Sequence, residues 1–81
     1  MIIKIRIVAH VSDEFKNFEL ELPDGSTVKD MADECLRIKN FPFTSESIRG
    51  ATIMSNGDLI EFSNVLNEGD TVTILSPLVG G

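Results

Sequence analysis

Few residues of this chain are placed to do chemistry of their own. Gly80 and Gly81 close the sequence, after Ser76-Pro77-Leu78-Val79 and a strand-like run that ends at Leu75. Two glycines add nothing to a core and are costly in entropy when ordered. A frayed end is one account of them. The other is a carboxylate, that of Gly81, flanked by no side chains and so able to thread a narrow channel into another protein's active site. Glycine suits such a passage because it permits close backbone approach and any dihedral. Pro77 removes one degree of freedom and biases Ser76 toward an extended conformation. Leu78 and Val79 gain nothing on a tail unless a partner buries them. A docking patch around Leu75, Pro77, Leu78 and Val79 follows, with Gly80 and Gly81 as the reactive end.

The other candidates read as structure. Cys35 falls on the apolar face of a helical run, and a reactive thiol needs exposure and a nearby positive charge. A buried structural thiol is expected there. His10 is the only histidine and has no partner in its loop, so it anchors no metal by itself. Asp30, Asp33 and Glu34 lie early in the helical run, where acids suit the helix dipole better than they make a magnesium site. Phe41 and Phe43 read as a plug at the core end of a loop. No Gly-rich phosphate loop, Ser/His/Asp set or CxxC pair occurs. The chain by itself is expected to be no enzyme, with no bound cofactor and no metal.

Composition narrows the classes further. At 81 residues this is one small domain, 1–81, with a tail over 76–81 and little room for an enclosed pocket. The 42% hydrophobic and 25% charged content is ordinary for a globular chain and argues against disorder. Thirteen acids against seven bases, with no Trp or Tyr, argue against nucleic acid and anionic membrane as partners. The net charge of −6 predicts a basic rim on whatever protein receives it. One cysteine excludes an internal disulfide, and no uncharged stretch reaches the roughly 18 residues of a membrane span. A cytoplasmic location is expected.

The elements that must position the tail follow from periodicity. Met1 to Ala9 alternates with Ile3, Ile5 and Ile7 on one side and Lys4, Arg6 and Val8 on the other, a strand with one buried face. His10 to Asn17 reads as a polar hairpin loop, and Phe18 to Leu22 as a second strand ended by Pro23-Asp24-Gly25. Val28, Met31, Ala32, Cys35 and Leu36 keep helical spacing, with Thr27 and Asp30 nearly a capping box. Residues 40–50 read as a loop. Ala51–Met54 and Leu59–Phe62 flank Asn56-Gly57, a strong hairpin signal. Asn67 to Asp70 is a turn before the last strand, Thr71–Leu75.

That order, strand-strand-helix-strand-strand-strand, resembles the MoaD/ThiS family of ubiquitin-like sulfur carriers. Asn56-Gly57, the run Leu66-Asn67-Glu68-Gly69-Asp70 before the last strand, and the Pro-containing tail ending in Gly-Gly carry the resemblance, which covers nearly the whole chain. It implies an α+β, β-grasp (ubiquitin-like) fold. The first and last strands would pair in parallel at the centre of a mixed sheet of about five strands, with one main helix on one face. It implies a protein that is substrate rather than catalyst. A ubiquitin-activating-like adenylating enzyme would use ATP to adenylate Gly81, and a sulfur donor would displace AMP to leave a thiocarboxylate. Within the family the tail is more similar to the small subunit of molybdopterin synthase, with Ser76 where that subunit commonly has a second proline. The implied recipient is then the large subunit of molybdopterin synthase. The alternatives are a thiamine-type carrier serving thiazole synthase, and a protein modifier joined through Gly81 to target lysines.

Overall fold

Ile3, Ile5 and Ile7 turn to one side of β1 (Ile2–Val8) and are almost wholly buried, while Ile2, Lys4, Arg6 and Val8 stay exposed. A computed structural model describes residues 1–76. After β1 come α1 (Asp13–Lys16), β2 (Asn17–Glu21), α2 (Val28–Leu36), α3 (Ser45–Arg49), β3 (Thr52–Ser55), β4 (Asp58–Leu59) and β5 (Thr71–Leu75). The sheet runs in the order β2-β1-β5-β3-β4. β1 and β5 pair in parallel at its centre and every other pairing is antiparallel. Sharing one face with the three isoleucines are Val72, Ile74 and Ile53, and α2 packs on that face through Val28, Met31, Ala32 and Cys35. No helix of the described residues is long and apolar enough to cross a membrane.

The start of α2 is closed by a complete capping box. Thr27 Oγ1 accepts from the Asp30 amide at 3.2 Å, and Asp30 Oδ2 accepts from the Thr27 amide at 2.9 Å. The bond from the Thr27 amide first, and hydrogen bonding from the Thr27 side chain second, hold the Asp30 carboxyl below its ordinary 3.8. A carboxyl lowered on folding stabilises the fold above its ordinary pKa, and that contribution is lost as pH falls through the lowered one. Thr27→Ala should cost about 0.5–2 kcal/mol near neutrality. Thr27→Ala leaves the amide that binds the Asp30 carboxylate, so the pH arm uses Asp30→Ala. Denaturant titrations across the acid range should show its gap to wild type narrowing as the wild-type Asp30 is protonated. A gap independent of pH would mean that the carboxylate half of the box contributes nothing.

Three segments differ from the sequence reading. The stretch 10–17 is no plain hairpin loop, because its α1 turn drives Phe15 into the core at 5% exposure. The Phe15 ring meets Phe18 at 5.9 Å and Phe41 at 5.7 Å, both edge to face, and Phe41 meets Phe43 at 5.9 Å. The plug expected of Phe41 and Phe43 is therefore part of a four-ring cluster. Residues 40–50 hold α3, opened by a second capping box between Thr44 and Ser47 and anchored by the buried Ile48. One turn buries one residue, which leaves no period to read in a sequence. Leu59–Phe62 is not a full strand. Pairing stops after Leu59 except for the Ile60 amide, which donates to the Ile53 carbonyl at 2.9 Å. The chain then bends where Asn64 Oδ1 accepts from the Glu61 amide at 2.6 Å. Its carbonyls are taken by the helix: Phe62 O accepts from Lys29 and Asn64 O from Val28 at the open N-terminus of α2.

Candidate functional site

The last strand lies between β1 and β3, and this fixes where the tail leaves. Leu75 is in register with Val8 on one side and Thr52 on the other, and Ser76 follows it directly. Of the site residues expected from sequence, Leu75 is the one the structure places, half-buried at the end of β5. Pro77, Leu78, Val79, Gly80 and Gly81 lie outside the described residues.

Beside that exit lies the face of the sheet turned away from α2. Side chains in register across it form two rows. One reads Val8, Leu75, Thr52, and the next Asn17, Arg6, Thr73, Met54, Leu59. Leu59 is 73% exposed and Val8 42%. Lone exposed apolar residues are unremarkable, but aligned ones beside the end of β5 are a candidate contact surface. The rows hold no thiol, imidazole or carboxylate, so this surface offers contact and no acid–base chemistry. The hairpin at Asn56 (φ 54°) and Gly57 (φ 83°) carries Leu59 onto the face; both residues are left-handed, the geometry a two-residue turn needs.

The groups that could have reacted are committed elsewhere. Cys35 is fully buried, and burial, helped by the negative charge of Glu34, pushes its thiol up to about 12. At neutral pH it stays protonated and shielded, the structural thiol expected. Asp30 is spent on the cap of α2. Asp33 meets Lys29 at 2.9 Å and Glu34 meets Arg37 at 3.1 Å, pairs within one helix that leave no shared site. These acids line an open hollow of about 450 Å³ with Pro23, Asp24 and Ser26. It lies at the opposite end of the sheet from Leu75, beside the start of β1, and takes no part in the exit. His10 is exposed two residues beyond Val8.

Sequence reasoning named the tail and left the sheet residues beside it undetermined. Alternation within each strand told which side chains share a side. Which residue of β3 or β4 stands beside Leu75 or Arg6 depends on register, and register across a parallel pair and a crossover leaves no mark in the sequence.

Comparison with known proteins agrees with this geometry. The ThiS family model matches residues 5–81. A candidate molybdopterin converting factor subunit 1 from Pyrococcus furiosus superposes with a TM-score of 0.74 at 25% identity, over 95% of this chain and 98% of that one. A chain from the complex of subunits 1 and 2 of molybdopterin-converting factor of Helicobacter pylori gives 0.71 at 21% identity, over the whole of both chains. SAMP1 from Haloferax volcanii gives 0.72 at 13% identity, again over both whole chains. No curated protein matches the sequence.

Proposed function

The chain belongs to the ThiS family, and on that footing we propose that it is a sulfur carrier whose reactive group is the Gly81 carboxylate. Its architecture is the ubiquitin-like β-grasp of its structural neighbours. A carboxylate is a poor electrophile until one of its oxygens departs in a better leaving group. Attack of Gly81 on ATP, catalysed by a ubiquitin-activating-like adenylating enzyme, makes an acyl-adenylate and releases pyrophosphate. A sulfur nucleophile then takes the acyl carbon and AMP leaves. The resulting thiocarboxylate carries sulfur that a partner enzyme removes. In this reading Leu75, Pro77, Leu78 and Val79 are held by the partner, and Gly80 lets the chain pass where a side chain would clash.

The observation that carries the proposal is the placement of Leu75. The family match continues through residue 81, and the strand that leads into that segment ends in mid-sheet beside a partly apolar face that no element of the described residues covers. That is a delivery geometry, since the exit and a docking surface adjoin. The assembly of molybdopterin-converting factor subunits 1 and 2 in a structural neighbour favours molybdopterin synthesis, with this chain as the small subunit beside a large one. A second reading rests on the likeness to the small archaeal modifier protein 1 of Haloferax volcanii. There the same activated carboxylate would be attacked by a lysine amine of a target protein.

Partner preference tests the assignment. The chain should form a stable complex with the large subunit of molybdopterin synthase from its own organism and none with thiazole synthase. Binding to thiazole synthase alone would move it to the thiamine-type carriers. Conjugates to lysine that survive a denaturing gel and require Gly81 would move it to the modifiers.

A further inference from the structure

The net charge of −6 suggests a basic partner, but the charges are not spread evenly over the fold. Glu21 is in register with Ile2 at the start of β1, the Gly69 amide donates to Ile2 O and the Leu66 amide to Ser26 O, so segments 21–26 and 66–70 gather at the end of the sheet far from Leu75. They hold four acids and no base. Segments 8–16 and 38–51 lead away from and into the strand ends, Val8 and Thr52, that flank Leu75. They hold three acids and three bases. Four of the six net negative charges therefore sit opposite the tail.

Distance decides which charge a docked partner meets. Asp70, just before β5, and Leu75 at its end are five residues apart, roughly 16 Å at about 3.3 Å per residue. The screening length at physiological salt is about 8 Å, so the acidic end is largely hidden from a surface seated on the exit. What that surface meets is Arg6. It is exposed, stands between Asn17 and Thr73 in its row, and makes no ion pair among the described residues. Lys4, one pair further from the exit, has Glu19 directly opposite. Arg6 is the cation of this face with no acid in register, one row from Val8 and Leu75.

We propose that Arg6 reads a carboxylate on the adenylating enzyme, so that the surface receiving the tail is acidic opposite β1 and apolar opposite Val8, Leu75 and Leu59. The basic rim expected from the net charge would face the wrong end of the molecule. A guanidinium presents a planar fork that matches a carboxylate in two parallel bonds, and it gives up hydration more readily than an ammonium. The inference rests on the carrier reading above and adds the chemistry of its first partner.

The test measures binding of the full chain to the adenylating enzyme of its own organism at about 0.15 M salt. ATP–pyrophosphate exchange is measured in parallel, and a melt of each variant shows that it is folded. Arg6→Glu should weaken binding roughly tenfold or more, because it sets like charges together in a desolvated contact, and Arg6→Lys should weaken it less. The double variant Glu21→Gln/Asp24→Asn, at the far end, should bind within about twofold of wild type. Arg6→Glu binding as well as or better than wild type, or the far-end variant shifting affinity more than Arg6→Glu, would overturn the proposal while the carrier reading stands. A wild-type chain that supports no exchange at all would overturn both.

Discussion

Deleting Gly81 should leave the unfolding curve where it is and abolish activation by the adenylating enzyme. β5 ends at Leu75, so the deletion removes no bond of the described sheet and no residue of its core. A stability change within about 0.5 kcal/mol is expected, as for surface changes generally. Function should respond on another scale. Without Gly81 the carboxylate moves back one residue, about 3.3–3.6 Å along an extended chain. A misplacement of about 1 Å already costs roughly a hundredfold in rate. Gly81→Ala and Gly80→Ala add a methyl group where the channel should admit only hydrogen, and both should be severely impaired too. Thermal melts set beside ATP–pyrophosphate exchange check this. A truncated chain activated as well as wild type would reduce the terminal glycines to a frayed end.

The largest effect on the fold is expected at Phe15. Its ring is almost completely buried and meets Phe18 and Phe41 edge to face. Phe15→Ala should cost about 3–5 kcal/mol through lost burial and the cavity left behind. A domain of this length has roughly 4–12 kcal/mol in all, so much of the population should unfold near the lower end of that range. Phe15→Leu, which keeps most of the volume, should cost far less. Denaturant titration of the two variants is the check. If Phe15→Ala costs no more than a surface change, the four-ring cluster is not what closes this end of the core.

The contrast between Phe15 and Ile5 shows what a sequence can carry. Ile3, Ile5 and Ile7 repeat every second residue for a whole strand, and Val28 through Leu36 keep helical spacing over more than two turns. Both elements were legible because their periods repeat. Phe15 is one apolar residue among polar neighbours, and a single helical turn buries it without any repetition. Ile48 in α3 is the same case. β4 is shorter than its apolar run because the N-terminus of α2 draws on the carbonyls of Phe62 and Asn64, a long-range demand invisible in residues 59–62 alone. The tail stood out in the sequence because Gly-Gly has no packing use, and its role is the proposal made above. The sheet face beside Leu75 did not stand out, since Val8, Arg6, Met54 and Leu59 become neighbours only once β1, β5, β3 and β4 are in register. Net charge is silent on placement for a related reason: it sums over the chain what the fold distributes between two ends.

The central claim is that sulfur is carried at Gly81, and intact mass tests it most directly. The full-length chain purified from sulfur-replete cells should contain a subpopulation heavier by the difference between one sulfur and one oxygen atom. Fragmentation should place that difference at Gly81, and it should vanish from Gly81→Ala. A chain showing only the unmodified mass, while its adenylating enzyme and sulfur donor are both present and active, would contradict the account.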